Sequence, residues 1–251
     1  MHHSPPAFDH PLRGRGDLEA AGAAVAAFRP MTLTTAVLTP AAWKDVERLF
    51  GPRGACAGCW CMFWRLEKGE RFDALKGEPL RERFRAGILE GRIQGVLAYE
   101  AGVPVGWATF GPRTSFARLQ RSPSLACDDA ERVWGIPCFF VRREHRGRGV
   151  AQALLDAAVS EMQRRGVSLV EGYPVKPSAS GAPIPAAFAY TGTRSLFEAA
   201  GFRPEPATEG YSRQRVRRAL RPSGPGAPTP SASSRGSVRR PRGSRATTRR
   251  R

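Results

Sequence analysis

Apolar and polar positions between Thr34 and Phe202 follow two periods in turn, one near two residues and one near 3.6. TAVLT (34–38) reads as a strand. Thr39 then offers an N-cap oxygen, Pro40 suits a first helical position, and Trp43, Val46 and Leu49/Phe50 recur on one helical face. A second helical region covers about 70–90, where Phe72/Leu75 and Leu80/Phe84/Ile88 recur around Pro79. QGVLAYE (94–100) and VPVGWATFG (103–111) are expected to pair as a hairpin about a tight turn at 101–104. Phe116 and Leu119 pack down the loop that follows. ERVWGIPCFFV (131–141) is the longest apolar strand, and VSLVEGYPV (167–175) is another.

Between those two strands lies the most regular helix. Ala151, Leu154, Leu155, Ala158, Val159 and Met162 make one continuous apolar stripe. Gln152, Asp156, Ser160, Gln163 and Arg164 occupy the other side, and Gly166 supplies a C-terminal stop. Arg146-Gly147-Arg148-Gly149-Val150-Ala151 therefore sits where a strand turns into a helix. Amides of a first helical turn have no intrahelical partner, and the helix dipole adds about half a positive charge there. Gly147 and Gly149 let the backbone approach an anion, and Arg146 and Arg148 add charge-assisted donors. The spacing is neither the dinucleotide fingerprint G-x-G-x-x-G nor a phosphate loop ending in G-K-[ST].

Composition and charge change this picture at the two ends. The chain has 251 residues, 41% hydrophobic and 25% charged, with 40 Lys+Arg against 22 Asp+Glu, a net charge of +18. Residues 221–251 hold nine Arg and no acidic residue, so the tail's nine charges leave +9 for 31–220. That tail has no aromatic residue and almost nothing to bury, so it is expected to be disordered. It is suited to contact nucleic acid, or is simply dispensable. Residues 1–30 are expected to be a flexible extension with an Ala-rich helical stretch ended by Pro30, Met31 being an alternative start. No apolar run approaches the ~18 residues of a membrane span, and no secretory pattern opens the chain, so no membrane partner and a cytoplasmic location are expected. Five cysteines, an odd number, fit a reduced compartment better than a disulfide scaffold.

The strand–loop–helix resembles the acetyl-CoA-binding motif of the GNAT acyltransferase superfamily, Gln/Arg-x-x-Gly-x-Gly/Ala. Arg146, Gly149 and Ala151 stand at its three defining positions. YTGTRSLFEAAGF (190–202) is similar to the family's late helix, which ends in a Gly-Phe pair, here Gly201-Phe202. The resemblance covers about residues 31–218. It implies an α/β fold with a mixed, mostly antiparallel central sheet, flanking helices and splayed central strands. Pro137 agrees, because it cannot donate to a ladder and so marks a bulge or splay. The resemblance also implies acetyl-CoA as co-substrate. Its pantetheine would lie along the backbone of Phe139, Phe140 and Val141, and its pyrophosphate on the amides of Gly147, Arg148, Gly149, Val150 and Ala151.

The activity so implied is N-acetyl transfer, by direct attack, to a primary amine of a small molecule or peptide. An amine of pKa near ~10.4 is only about one part in ~10³ neutral at physiological pH, so a base is useful. Glu171 is the candidate, at the end of an apolar strand; simple exposure there is the plain alternative. Glu100 is a weaker one. In many relatives a late-helix Tyr protonates the departing thiolate, but that position is Phe197, which cannot donate. Tyr190 is the candidate donor or substrate contact, or else only packs its loop. Cys56, Cys59 and Cys61 have a zinc-like start but no partner pair nearby, so no metal is expected. The segment CWCMFWR either lips the acceptor pocket or packs the first helices. Two further readings remain: a nucleic-acid-associated protein acting through its tail, and an inactive acyl-CoA-binding relative. A net +9 domain suits acidic or neutral acceptors, and either a monomer or a homodimer is compatible.

Overall fold

The computed structural model describes residues 32–176, 189–207 and 209–221. The expected extension at 1–30 and, from residue 222, the expected Arg-rich tail lie outside the described residues.

Strand β1 (Leu33–Val37) leads through a 3-10 turn at Pro40–Ala42 into α1 (Trp43–Phe50). Pro40 opens that turn as expected, but the Thr39 side chain makes no capping hydrogen bond. Then come α2 (Phe72–Leu75) and α3 (Glu78–Leu89). Pro79 divides the expected single region because a proline fits a first helical turn but not an interior. The hairpin of β2 (Gln94–Glu100) and β3 (Val103–Pro112) turns on Ala101 and Gly102 alone, with φ of 49° and 75°. Both central residues of such a two-residue turn need positive φ, and Val103 and Pro104 are thereby released into β3.

A short α4 (Ala117–Arg121) occupies the expected loop and buries Leu119, with Phe116 just ahead of it. After β4 (Trp134–Val141), α5 (Val150–Arg164) crosses to β5 (Leu169–Gly172). The chain closes with α6 (Arg194–Ala199), β6 (Arg203–Pro204) and β7 (Val216–Ala219). Thr193 caps α6, its hydroxyl accepting from the Leu196 amide at 3.3 Å.

Among the described residues the strands form one sheet in the order β1-β2-β3-β4-β5-β7-β6. Every neighbouring pair is antiparallel except β4–β5, which is parallel and joined by α5. Alternation sends side chains to two cores. The α5 stripe (Val150, Leu154, Leu155, Ala158, Met162) packs on Val96, Ala98, Ala108 and Phe110. On the other face, Val46, Leu49, Phe50, Leu80, Phe84 and Ile88 pack on Leu97 and Trp107.

The feature that shapes the site is at Pro137. Between Thr109 and Gly111 of β3 the β4 partner moves from Cys138 to Gly135, a bulge that sets Ile136 and Pro137 against Phe110 alone. The β4–β5 ladder covers only Trp134–Ile136. Pairing thus ends where the amide hydrogen is missing, and Cys138–Val141 run on beyond it. Past β5, Val175 makes single bridges to Thr193 and Arg213, which tie the two later segments to the end of β5.

A buried ionic knot holds the β4–β5–β7 region. Glu171 accepts from Arg113 Nε at 2.9 Å and Arg217 Nε at 2.6 Å, and lies 3.4 Å from Arg215 Nη1. The side chains of Glu171 and Arg113 are both 0% exposed. Arg217 also forks onto both oxygens of Asp129, at 2.8 and 2.9 Å, and this hydrogen bonding holds the Asp129 carboxyl down to about 2. A depressed folded-state pKa contributes stability above the unfolded value of 3.8 and loses it as pH falls towards 2. Thermal unfolding midpoints should therefore drop across that window, and Asp129→Asn should flatten this part of the slope. An unchanged slope would show that the fork contributes nothing.

Candidate active site

The loop between β4 and α5 is built by backbone conformation. Gly149 is the N-cap of α5 at φ 80°, and Gly147 lies at φ 70°. The first helical bond runs from the Ala153 amide to the Gly149 carbonyl at 3.0 Å, so the amides of Val150, Ala151 and Gln152 stand ahead of it. The Val150 side chain is buried on Gly106, where a Cβ would come within 2.6 Å of it. Its contribution to an anion is therefore its amide alone. Arg146 Nε donates to the Val141 carbonyl at 3.1 Å. Arg148 Nη2 donates to Glu100 at 3.2 Å, and His145 Nε2 is 2.9 Å from the same carboxylate. Glu100, the weaker base candidate, is thus an anchor for this loop.

The loop opens onto a cavity of about 680 Å³. Arg146, Ala151, Phe139, Phe140 and Val141 line one part of it, and Phe63, Trp64, Tyr190 and Gly192 another. Six of the eleven residues singled out from the sequence therefore meet at one cavity: the three β4 residues, Arg146, Ala151 and Tyr190. Gly147, Arg148, Gly149 and Val150 belong to the adjoining loop.

Glu171 is placed elsewhere. Its carboxylate is enclosed by three guanidinium groups and does not line the cavity, and it is not exposed at the strand end either. The reason is its register: Glu171 sits opposite Arg217 on β7, at the paired end of β5 rather than in the splay. Phe197 is likewise outside the cavity lining. It packs against Phe139 and Phe202 and lies over Gly172, where a Cβ would stand 2.3 Å from its ring. Tyr190 faces the cavity beside Phe63 and Trp64, and burial pushes its phenol up, so it keeps its proton at neutral pH.

Sequence reading offered CWCMFWR as a lip of the pocket but missed that Cys56 and Cys138 complete a cysteine wall. Cys56, Cys59, Cys61 and Cys138 all line the cavity. Ala55, Ala57, Trp60 and Cys61 hold φ between 41° and 66°, a left-handed conformation that costs L residues about 1 kcal/mol or more each. Burial of the Trp60 ring against Trp43 and Phe50 opposes that cost. CWCMFWR thus does both things expected of it: Trp60 packs with the first helices, and Phe63 and Trp64 line the cavity.

Trp107 Nε1 donates to Cys61 Sγ at 3.2 Å. Burial by itself raises a thiol, but hydrogen bonds from Cys138 and Trp107 and the charge of Arg65 hold Cys61 below its ordinary value. Cys138, hydrogen-bonded to Cys61 and buried, is pushed well above. Arg65 supplies the counter-charge; its Nη1 donates to Ser115 at 3.2 Å, while Nε and Nη2 are buried without a hydrogen-bond partner. No Asp, Glu or His lines the cavity among the described residues. Nor, among them, is any group of three or more His, Cys, Asp or Glu side chains arranged to hold a metal ion.

A bulged, splayed β4 feeding an Arg-Gly helix cap defines the acyltransferase type of sheet that the resemblance implied. Residues 60–176 match the family model for the acetyltransferase (GNAT) family. No curated protein matches the chain. Among solved structures, it is similar to an N-acetyltransferase from Staphylococcus aureus Mu50, at 12% identity over 76% of this chain and 99% of that one, TM-score 0.44. It is also similar to a ribosomal-protein-alanine N-acetyltransferase from Brucella melitensis (15%, 76% and 100%, TM-score 0.44). A third is the PaiA N-acetyltransferase from Thermoplasma acidophilum in complex with coenzyme A (13%, 76% and 100%, TM-score 0.42). No described helix is long and apolar enough to cross a membrane.

Proposed function

We propose that the protein transfers the acetyl group of acetyl-CoA to an amine by direct attack within the cavity. The observation that carries this reading is the opening of the α5 N-terminal loop onto the same cavity as the end of β4 that no longer pairs with β5. The amides of Gly147–Ala151 hold the pyrophosphate, and Arg146 adds a fixed positive charge. Backbone of Phe139–Val141 aligns the pantetheine and offers an N–H to the oxygen that becomes negative in the tetrahedral intermediate.

The amine nitrogen attacks the thioester carbon, and the C–S bond breaks as the intermediate collapses. Tyr190 donates its phenolic proton to the departing thiolate. The proton lost by the amine passes to Cys61 in its thiolate form, whose share grows with pH, since no carboxylate or imidazole lines the cavity among the described residues. Solvent then carries it back to Tyr190. This replaces Glu171, which does not line the cavity, with a lining thiol whose pKa, against the opposing effect of burial, is lowered by hydrogen bonds from Cys138 and Trp107.

Two results test the assignment in an assay of acetyl-CoA consumption with amines. Tyr190→Phe should lower kcat about 10²-fold with little change in the KM for acetyl-CoA. The wild-type rate should climb with pH along a limb lying below the ordinary thiol value of 9.0, and Cys61→Ser should remove that limb. If both variants keep the wild-type rate and profile, these roles are wrong. The inactive-relative reading is favoured by the burial of Phe197 at the usual donor position, and any Tyr190-dependent turnover excludes it.

A further inference from the structure

Next to the main cavity lies a second hollow of about 490 Å³, sharing Phe63, Trp64 and Tyr190 as a common wall. None of the β4 or helix-cap residues lines it, so it is an entry separate from the loop assigned to CoA. Its charged side chains are mostly cationic. The Arg118 guanidinium stands 4.0 Å over the Phe63 ring, and that of Arg213 lies 5.0 Å from the Tyr190 ring and 5.7 Å from Trp64. Arg121 completes the group; its Nη2 donates to the Leu66 carbonyl.

These cations lack a direct ion pair, although the charge of Arg121 reaches Glu70. Among the described residues, no carboxylate lies within ion-pair distance of Arg118, Arg121 or Arg213. The acidic residues at the hollow do not pair with them: Glu70 is forked by Arg83 at 2.8 and 2.9 Å, and Glu67 is exposed at the rim beside exposed Lys68. The Nε of Arg213 is buried with no hydrogen-bond partner. A buried guanidinium donor left empty is costly, and a planar fork matches a carboxylate or phosphate better than it matches water.

We propose that the acceptor is an amine bearing an anionic group, a carboxylate in the simplest case, joined through an apolar or aromatic body. The anion binds between Arg118, Arg121 and Arg213. The body lies on Phe63, Trp64 and Tyr190, and the amine reaches past Tyr190 into the cavity where Cys138–Val141 have left the β5 ladder. This rests on the acyltransferase reading and adds the class of acceptor to it. The selectivity comes from the hollow: a neutral analogue leaves three guanidinium groups facing one another without a counter-ion.

The test compares amino acids with their amides, using L-phenylalanine against L-phenylalaninamide and L-tryptophan against L-tryptophanamide, with acetyl-CoA and the full chain. The amide's amine is the weaker base, so basicity alone favours the amide and works against the proposal. The expected result is a kcat/KM at least about tenfold higher for the acids. In Arg213→Gln and Arg118→Gln that preference should vanish, while calorimetric acetyl-CoA binding stays at the wild-type value. Amides turned over as well as acids, a preference that survives both substitutions, or no turnover of any of the four by a chain that binds acetyl-CoA would each overturn the proposal. Failure to bind acetyl-CoA overturns instead the acyltransferase reading, and this inference falls with it.

Discussion

Glu171→Ala is expected to destabilise the protein by about 3–5 kcal/mol, the cost of leaving buried guanidinium groups without their carboxylate. Arg113 is enclosed with Glu171, and its remaining bonds, to Gln120 and to the Leu125 carbonyl, carry no negative charge. Arg217 retains Asp129, so the loss concentrates on Arg113. Urea unfolding followed by tryptophan fluorescence measures it. Pairing the change with Arg113→Leu, which removes the stranded charge, should recover a large part of the loss. The same variants separate structure from catalysis. If Glu171 belongs to the knot alone, the folded Glu171→Gln protein binds acetyl-CoA within about twofold of wild type. Unaltered stability together with a collapsed kcat would return Glu171 to the role of base.

The second large effect is expected at the head of α5. Gly149→Glu should weaken acetyl-CoA binding about 100-fold or more, by placing a carboxylate where first-turn amides await phosphate. The left-handed φ of 80° at Gly149 adds about 1 kcal/mol of strain for any L residue. A carboxylate at a helix N-terminus is otherwise favourable for the helix itself, so the fold should survive. Gly149→Ala isolates the strain: it should cost stability but spare most of the affinity, because a Cβ there meets no atom within 4 Å. Equal loss in both variants would point to loop conformation rather than to the anion site.

The parts of this protein legible in its sequence were those governed by neighbours along the chain. The stripe from Ala151 to Met162, the β2–β3 hairpin and the Arg-Gly helix cap each depend on spacing within about a dozen residues, and each stands where expected. Pro137 announced the splay because a missing amide hydrogen acts locally. What could not be read was set by distant partners. The arginine that buries Glu171 is 58 positions away and another is 46 away, so a lone acidic residue in an apolar strand gave no sign of a knot. The Cys61–Cys138 contact joins a left-handed loop to a central strand, and CWC carries no glycine to signal that conformation. The arginines of the second hollow come from α4 and the segment before β7, ordinary surface positions until Val175 draws that segment to the end of β5.

The central claim is that the loop from Gly147 to Ala151 and the end of β4 beyond its β5 ladder form one acetyl-CoA site. Calorimetric titration of acetyl-CoA into the full chain, beside Gly149→Glu, addresses it most directly. The account predicts micromolar binding at one site per chain, abolished or nearly so in the variant. Absence of binding at millimolar acetyl-CoA, or equal binding by both proteins, would contradict it.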